Sequence, residues 1–184
     1  MKASVFSRAF AVFLLGAFAA FLASSALRWT PSGPAPIAQA EDELAVIKGQ
    51  LADQSHAMED VARHFSNLWF AGQKKNWPLA TFFLDETQSH LRWAVRMKPV
   101  RKTGTGQDIN LGGILESIEN TFFTQLRKAI EDKDREKFAL AYRKSIEGCY
   151  SCHKTSEKPY LRPQIPEAPA AYNINFDPES AWPQ

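Results

Sequence analysis

The strongest constraint on this chain is five residues long: Cys149-Tyr150-Ser151-Cys152-His153, a C-x-x-C-H. Two thiols three residues apart emerge from one side of a helical turn, with the imidazole beside them. In that arrangement two cysteines add across the vinyl groups of a c-type haem, and the histidine takes the iron as proximal ligand. A chain that carries it must supply a helix for the motif and an apolar slot for a planar macrocycle. Rival chemistries ask for more than the sequence offers. A zinc site needs two further ligands, and His56, His64 and His90 form no C-x-x-C or H-x-x-x-H partner motif. A thioredoxin-like pair belongs in a βαβ setting, and no such pattern is visible. A disulfide between Cys149 and Cys152, the only two cysteines, stays open but is strained within a helix.

The rest of the chain reads as helices able to build that slot. Leu44, Ile47, Leu51, Met58, Val61, Phe65, Leu68 and Trp69 recur at three- and four-residue steps, which predicts one long helix from Glu41 to a stop at Gly72. Asn76 caps a second helix with Pro78 in its first turn, Leu79, Phe82, Phe83, Leu91, Ala94 and Met97 on its apolar face, and Lys98-Pro99 at its end. Residues 99–112, with Gly104, Gly106 and Gly112, read as a loop. A third helix spans Gly113 to Glu131, with Ile114, Ile118, Phe122, Leu126 and Ala129 inward. Asp134 caps a fourth, which turns Phe138, Tyr142, Ile146, Cys149 and Cys152 to one side. No segment alternates with a period of two. From Lys158 onward six prolines exclude helix, and residues 158–184 read as an extended tail anchored by Tyr160 and Leu161. The predicted fold is all-α: an antiparallel up-down-up-down four-helix bundle, residues 41–157, with a proline-rich C-terminal tail.

Residues 1–40 read separately, as a signal peptide or N-terminal membrane anchor. Lys2 and Arg8 precede an apolar run from Ala9 to Ala23, and Ala38-Gln39-Ala40 is an A-x-A cleavage site before Glu41-Asp42. Ser24-Ser25-Ala26 is a second candidate cleavage point. Extended to Leu27, the run is just long enough to span a membrane, which would leave the protein membrane-associated. Either way the domain is expected outside the cytoplasm, in a periplasm. Three basic and no acidic side chains fall in this stretch, so the remainder carries 19 basic against 20 acidic groups. That balance gives nucleic acid no footprint.

A helical bundle with C-x-x-C-H near its C-terminus resembles the class II c-type cytochromes, cytochrome c′ and its low-spin relatives. The likeness covers Glu41 to His153 in architecture and is close only at Cys149–His153. Leu68-Trp69-Phe70-Ala71-Gly72, followed by Asn76-Trp77 and Leu79-Ala80, is also similar to a proteobacterial group of small exported cytochrome c-like proteins of poorly defined function. The resemblance implies one haem c held by Cys149 and Cys152, His153 on the iron, electron transfer or gas binding, redox partner proteins, and a homodimer formed through helices one and two. Cytochrome c′ usually has an Arg a few residues past its proximal histidine. Here Lys154-Thr155-Ser156-Glu157 follows, and the first arginine is Arg162, a candidate haem-propionate contact.

Function then turns on the iron face opposite His153. A thioether there makes a six-coordinate electron carrier, and an apolar lid over an open position makes a binder of NO or CO. Met58 is the candidate. It lies within ~40° of Leu44, Ile47, Leu51, Phe65 and Trp69 on a helical wheel and within two turns of the level of His153. His64 is expected at a helix–helix seam, His90 at a seam or the surface with Glu86 one turn before it, and His56 in solvent. The chain is read as a carrier of single electrons and not an enzyme, since the haem supplies the chemistry.

Overall fold

Asp53 divides the first predicted helix. Its carboxylate accepts from the backbone N–H groups of Ser55 at 2.9 Å and His56 at 3.2 Å, and its extended backbone cannot continue a preceding helix. The single helix expected over residues 41–72 is therefore two, α1 (Ile37–Gln50) and α2 (Gln54–Gln73). The computed structural model describes residues 37–50, 53–170 and 173–181. It falls into two units, Met1–Gln50 and Leu51–Gln184. In the first, Leu44 and Ile47 are about half exposed, against the expectation that they line the core. The leader or anchor expected over residues 1–40 lies, apart from 37–40, outside the described residues. Among the described residues no helix is long and apolar enough to cross a membrane.

The second unit is mostly helical. After α2 come α3 (Trp77–Met97), strands β1 (Val100–Lys102) and β2 (Asp108–Asn110), α4 (Leu111–Ile118), a π-helical turn (Glu119–Phe123), α5 (Thr124–Glu131) and α6 (Arg135–Thr155). The predicted caps hold. Asn76 Oδ1 accepts from Leu79 N, and Asp134 Oδ1 from the N–H groups of Glu136 and Lys137. Gly72, however, does not end its helix, which runs on to Gln73; the left-handed residue is Lys75, at φ 56°. Glycine is needed at 72 because a Cβ there would run into the Phe138 ring.

The loop expected over 99–112 is an antiparallel hairpin, with Val100 opposite Asn110 and Lys102 opposite Asp108, turning at Gly106, φ 84°. Three-residue strands are too short to display a period of two, which is why the pattern gave no sign of them. Helix three begins two residues earlier than expected, at Leu111, and is continuous through the π turn to Glu131. The extra residue in that turn moves the apolar face by one position. Phe123, Leu126, Ala129 and Ile130 are buried, while Phe122 is only half-buried.

Packing follows from these faces. α2 lies along α3, both α4 and α5 contact α3 and α6, and α6 returns to α2. Phe138, Tyr142, Phe123, Leu126, Leu68 and Leu84 are all at most 1% exposed. α2 and α6 run antiparallel: the Tyr142 hydroxyl donates to the Phe65 carbonyl at 2.9 Å, and one turn on Trp69 lies 6.3 Å from Phe138. Phe82 of α3, expected inward, is half exposed, and its place is taken by Ala80 and Leu84. The tail departs from expectation too. Tyr160 and Leu161 are exposed; the anchor is Phe176, packed against Phe70 and Phe83, with its carbonyl accepting from Asn76 Nδ2 at 3.3 Å.

Candidate functional site

α6 brings Cys149, Cys152 and His153 to one side. At 100° per residue, Cys152 and His153 fall ~60° and ~40° either side of Cys149. The helix reaches this point against a close neighbour. A Cβ at Gly148 would stand 2.6 Å from the Phe122 ring, so glycine is what lets α6 approach the π turn here. Both cysteines are free thiols and half-buried. Burial, and next the adjoining Cys152, push the Cys149 thiol up to about 12. Burial raises Cys152 as well, partly offset by a hydrogen bond with Ser156 and the charge of Arg101. Both therefore stay protonated at neutral pH, the opposite of the lowered thiol that disulfide exchange requires.

The tail completes the histidine. His153 Nδ1 lies 2.8 Å from the Leu161 carbonyl oxygen. A carbonyl accepts only, so Nδ1 carries a proton, and in the neutral ring Nε2 keeps its lone pair. This is the tautomer and the outer contact typical of metal-bound histidine. The chain turns back to reach that carbonyl through Glu157, in the left-handed region at φ 58°, and the Tyr150 hydroxyl holds the Pro159 carbonyl at 3.1 Å. The donor set thus fits a covalently attached haem: two neutral thiols and one oriented imidazole nitrogen share one sector of a helix.

Met58 lies on the helix that faces this sector. With Phe65 opposite Tyr142 and α2 antiparallel to α6, seven residues back on one helix matches seven forward on the other, which sets Met58 level with Cys149. Met58 is half-buried, and one turn before it Gln54 makes a three-way tie. Its Nε2 donates to the Ala94 carbonyl at 3.0 Å, and its Oε1 accepts from Arg101 Nε at 3.1 Å and Nη2 at 2.5 Å. The start of α2, the end of α3 and β1 are thereby fixed around the cysteines. Arg101 was not singled out in the sequence, where it looked like one charge in a glycine-rich loop. Arg162, which was, is exposed, and its Nε contacts the Pro159 carbonyl at 3.4 Å.

The other histidines fall as the helical wheel suggested. His56 is solvated and bound to Asp53 at 2.9 Å. His64 and His90 meet at the α2–α3 seam with ring centroids 4.9 Å apart. His64 adjoins Phe65, whose partner Tyr142 precedes His153 by eleven residues, so His64 is offset ~16 Å along the axis from His153. A groove of about 490 Å³ between α4 and α6 is bounded by Ile114, Phe122, Gly148 and Ser151. Ser151 points ~160° away from Cys149, so the groove lies on the other side of α6 from the thiols. No protein-family model, curated protein or solved structure matches this chain.

Proposed function

We propose that this protein is an exported monohaem c-type cytochrome that passes single electrons between protein partners, built as an up-down-up-down four-helix bundle. In that bundle α2, α3, the α4–α5 helix and α6 are the four members. The cyclic order of packing, α2 on α3, α3 on α4–α5, α4–α5 on α6 and α6 on α2, supports the arrangement. The observation that carries the reading is the His153 Nδ1 contact with the Leu161 carbonyl. It prepares Nε2 as a ligand beside two thiols in a C-x-x-C-H. When bound, haem supplies the one-electron couple. Cys149 and Cys152 would hold it, His153 would supply an imidazole nitrogen to its iron, and Met58 would offer a thioether or an apolar lid. Phe65 and Tyr142, stacked at 4.3 Å, close the interior behind the cysteines against water.

Expression with haem-maturation machinery in the periplasm tests the reading. The product should keep its haem through acid–acetone extraction, and Cys149→Ala with Cys152→Ala should release it. Wild-type protein that gives up free haem overturns the proposal. The oxidised spectrum then decides the sixth position. A low-spin spectrum with a sulfur-to-iron charge-transfer band that Met58→Ala removes marks a His/Met electron carrier. A high-spin spectrum with rapid CO uptake marks the gas-binding alternative, with Met58 as lid.

A further inference from the structure

Away from the cysteines, two helices each carry a carboxylate four residues before a histidine: Asp60 and His64 on α2, Glu86 and His90 on α3. At that spacing both side chains of a pair share one helical face. The seam brings the pairs together. One ligand atom each from His64, Glu86 and His90 lie within 4.8 Å of one another. His90 Nδ1 is 2.9 Å from the Glu86 backbone carbonyl, so Nδ1 carries a proton, and in the neutral ring Nε2 bears the lone pair. That lone pair faces Asp60 Oδ2 at 3.7 Å. Such a pair is held together by a cation between the two atoms, either a proton on Nε2 or a metal ion. His64 adds a second anomaly: its Nδ1 is buried with no hydrogen-bond partner among the described residues. Its environment favours the neutral ring, since burial and then His90 lower its pKa. An interior nitrogen left unpaired is costly, and metal ligation is one way to satisfy it.

We propose that Asp60, His64, Glu86 and His90 form a binding site for one divalent transition-metal ion, zinc or copper, separate from the haem position. Two imidazoles and one or two carboxylates make the nitrogen–oxygen donor set these ions take. The Glu86 carbonyl on His90 Nδ1 is the outer contact such a ligand needs. The donor atoms must draw in by about 1 Å from their present spacing to reach zinc–nitrogen and zinc–oxygen bond lengths of about 2.0–2.2 Å. Glu86, with its side chain 36% exposed, is free to make that movement. Arg63, 3.2 Å from Asp60 Oδ1, stays on the outer oxygen and leaves Oδ2 to the site. Bound there, the ion cross-links α2 to α3 and stabilises the folded state by mass action. His64 is offset ~16 Å along the helix axis from His153, and the four ligands share no residue with the C-x-x-C-H.

The full-length holoprotein, stripped with a chelator and dialysed, should take up one equivalent of zinc(II) or copper(II) beyond its iron by elemental analysis. Calorimetric titration with each ion separately identifies the preferred one, and uptake should raise the Tm reversibly. Glu86→Gln and His90→Asn, both at partly exposed positions, should each weaken binding by at least ~100-fold while helical circular dichroism is kept. His56→Ala, a histidine outside the seam, should bind as wild type does. Absence of uptake of either ion overturns the proposal, as does undiminished binding in His90→Asn or loss of binding in His56→Ala.

Discussion

The two halves of α6 have opposite characters. From Phe138 to Ser145 the helix is a core element: Phe138, Tyr142 and Ser145 are fully buried, and Tyr142 stacks on Phe65 with ring centroids 4.3 Å apart. From Cys149 to His153 it is half-buried: Cys152 still packs against the core, but polar influences now come from elsewhere in the chain, the charge of Arg101 from the hairpin and the carbonyls of Leu161 and Pro159 from the tail. One continuous helix therefore carries stability at one end and presents chemical groups at the other. Rigidity in the first half fixes the position of the second, and the second is free to depart from close packing because the first does not.

Mutations that act on one half and leave the other alone test this division. The largest stability effect is expected from Phe138→Ala, which removes a ring packed against Trp69, Trp77 and Tyr142 and should cost about 3–5 kcal/mol in denaturant unfolding. Haem attachment should survive it at temperatures where the variant is folded. The complementary pair, Cys149→Ala with Cys152→Ala, should abolish attachment while the far-ultraviolet circular dichroism stays helical. If Phe138→Ala alone prevented attachment in a folded protein, the two halves would not be separable.

Gly72→Ala comes next. Its methyl would meet the Phe138 ring and force the α2–α6 contact apart, costing about 1–3 kcal/mol, whereas a glycine serving only as a helix stop would gain stability on becoming alanine. The sign of the Tm shift decides. Tyr142→Phe removes the hydroxyl that donates to the Phe65 carbonyl and should cost about 1 kcal/mol. Tyr160→Ala, at a side chain 69% exposed, should stay within about 0.5 kcal/mol, while Phe176→Ala should free the tail for proteolysis.

The smallest effect is on pH dependence. Both capping carboxylates, Asp53 and Asp134, are held below the ordinary value of 3.8 by the N–H and side-chain groups they accept from: chiefly the Ser55 side chain for Asp53, the Lys137 backbone for Asp134. A depressed folded pKa contributes stability that is fully present above the unfolded value and lost as pH falls through the folded one. Melting curves should therefore decline below about pH 4, and Asp134→Asn should remove part of that decline.

Much of this protein was determined by local sequence. Asn76, Pro78 and Asp134 mark helix starts because a short polar side chain, or a missing N–H, satisfies the same end-of-helix need wherever it occurs. The C-x-x-C-H places its three groups in one helical sector by spacing alone. Tertiary structure decided what depends on residues far apart. Leu44 and Phe65 share one apolar period, yet Leu44 is half exposed and Phe65 is 8% exposed, because periodicity states which face is apolar and not whether anything covers it. Gly72 looked like a terminator and is a contact, since the ring that requires it lies 66 residues away in the chain. The Leu161 carbonyl on His153 had no signal at all, because every residue has a carbonyl and only the folded path of the tail selects one. The pairing of Asp60 and His64 with Glu86 and His90 was likewise invisible along the chain: each pair lies on its own helix, and only the antiparallel seam makes them four neighbours.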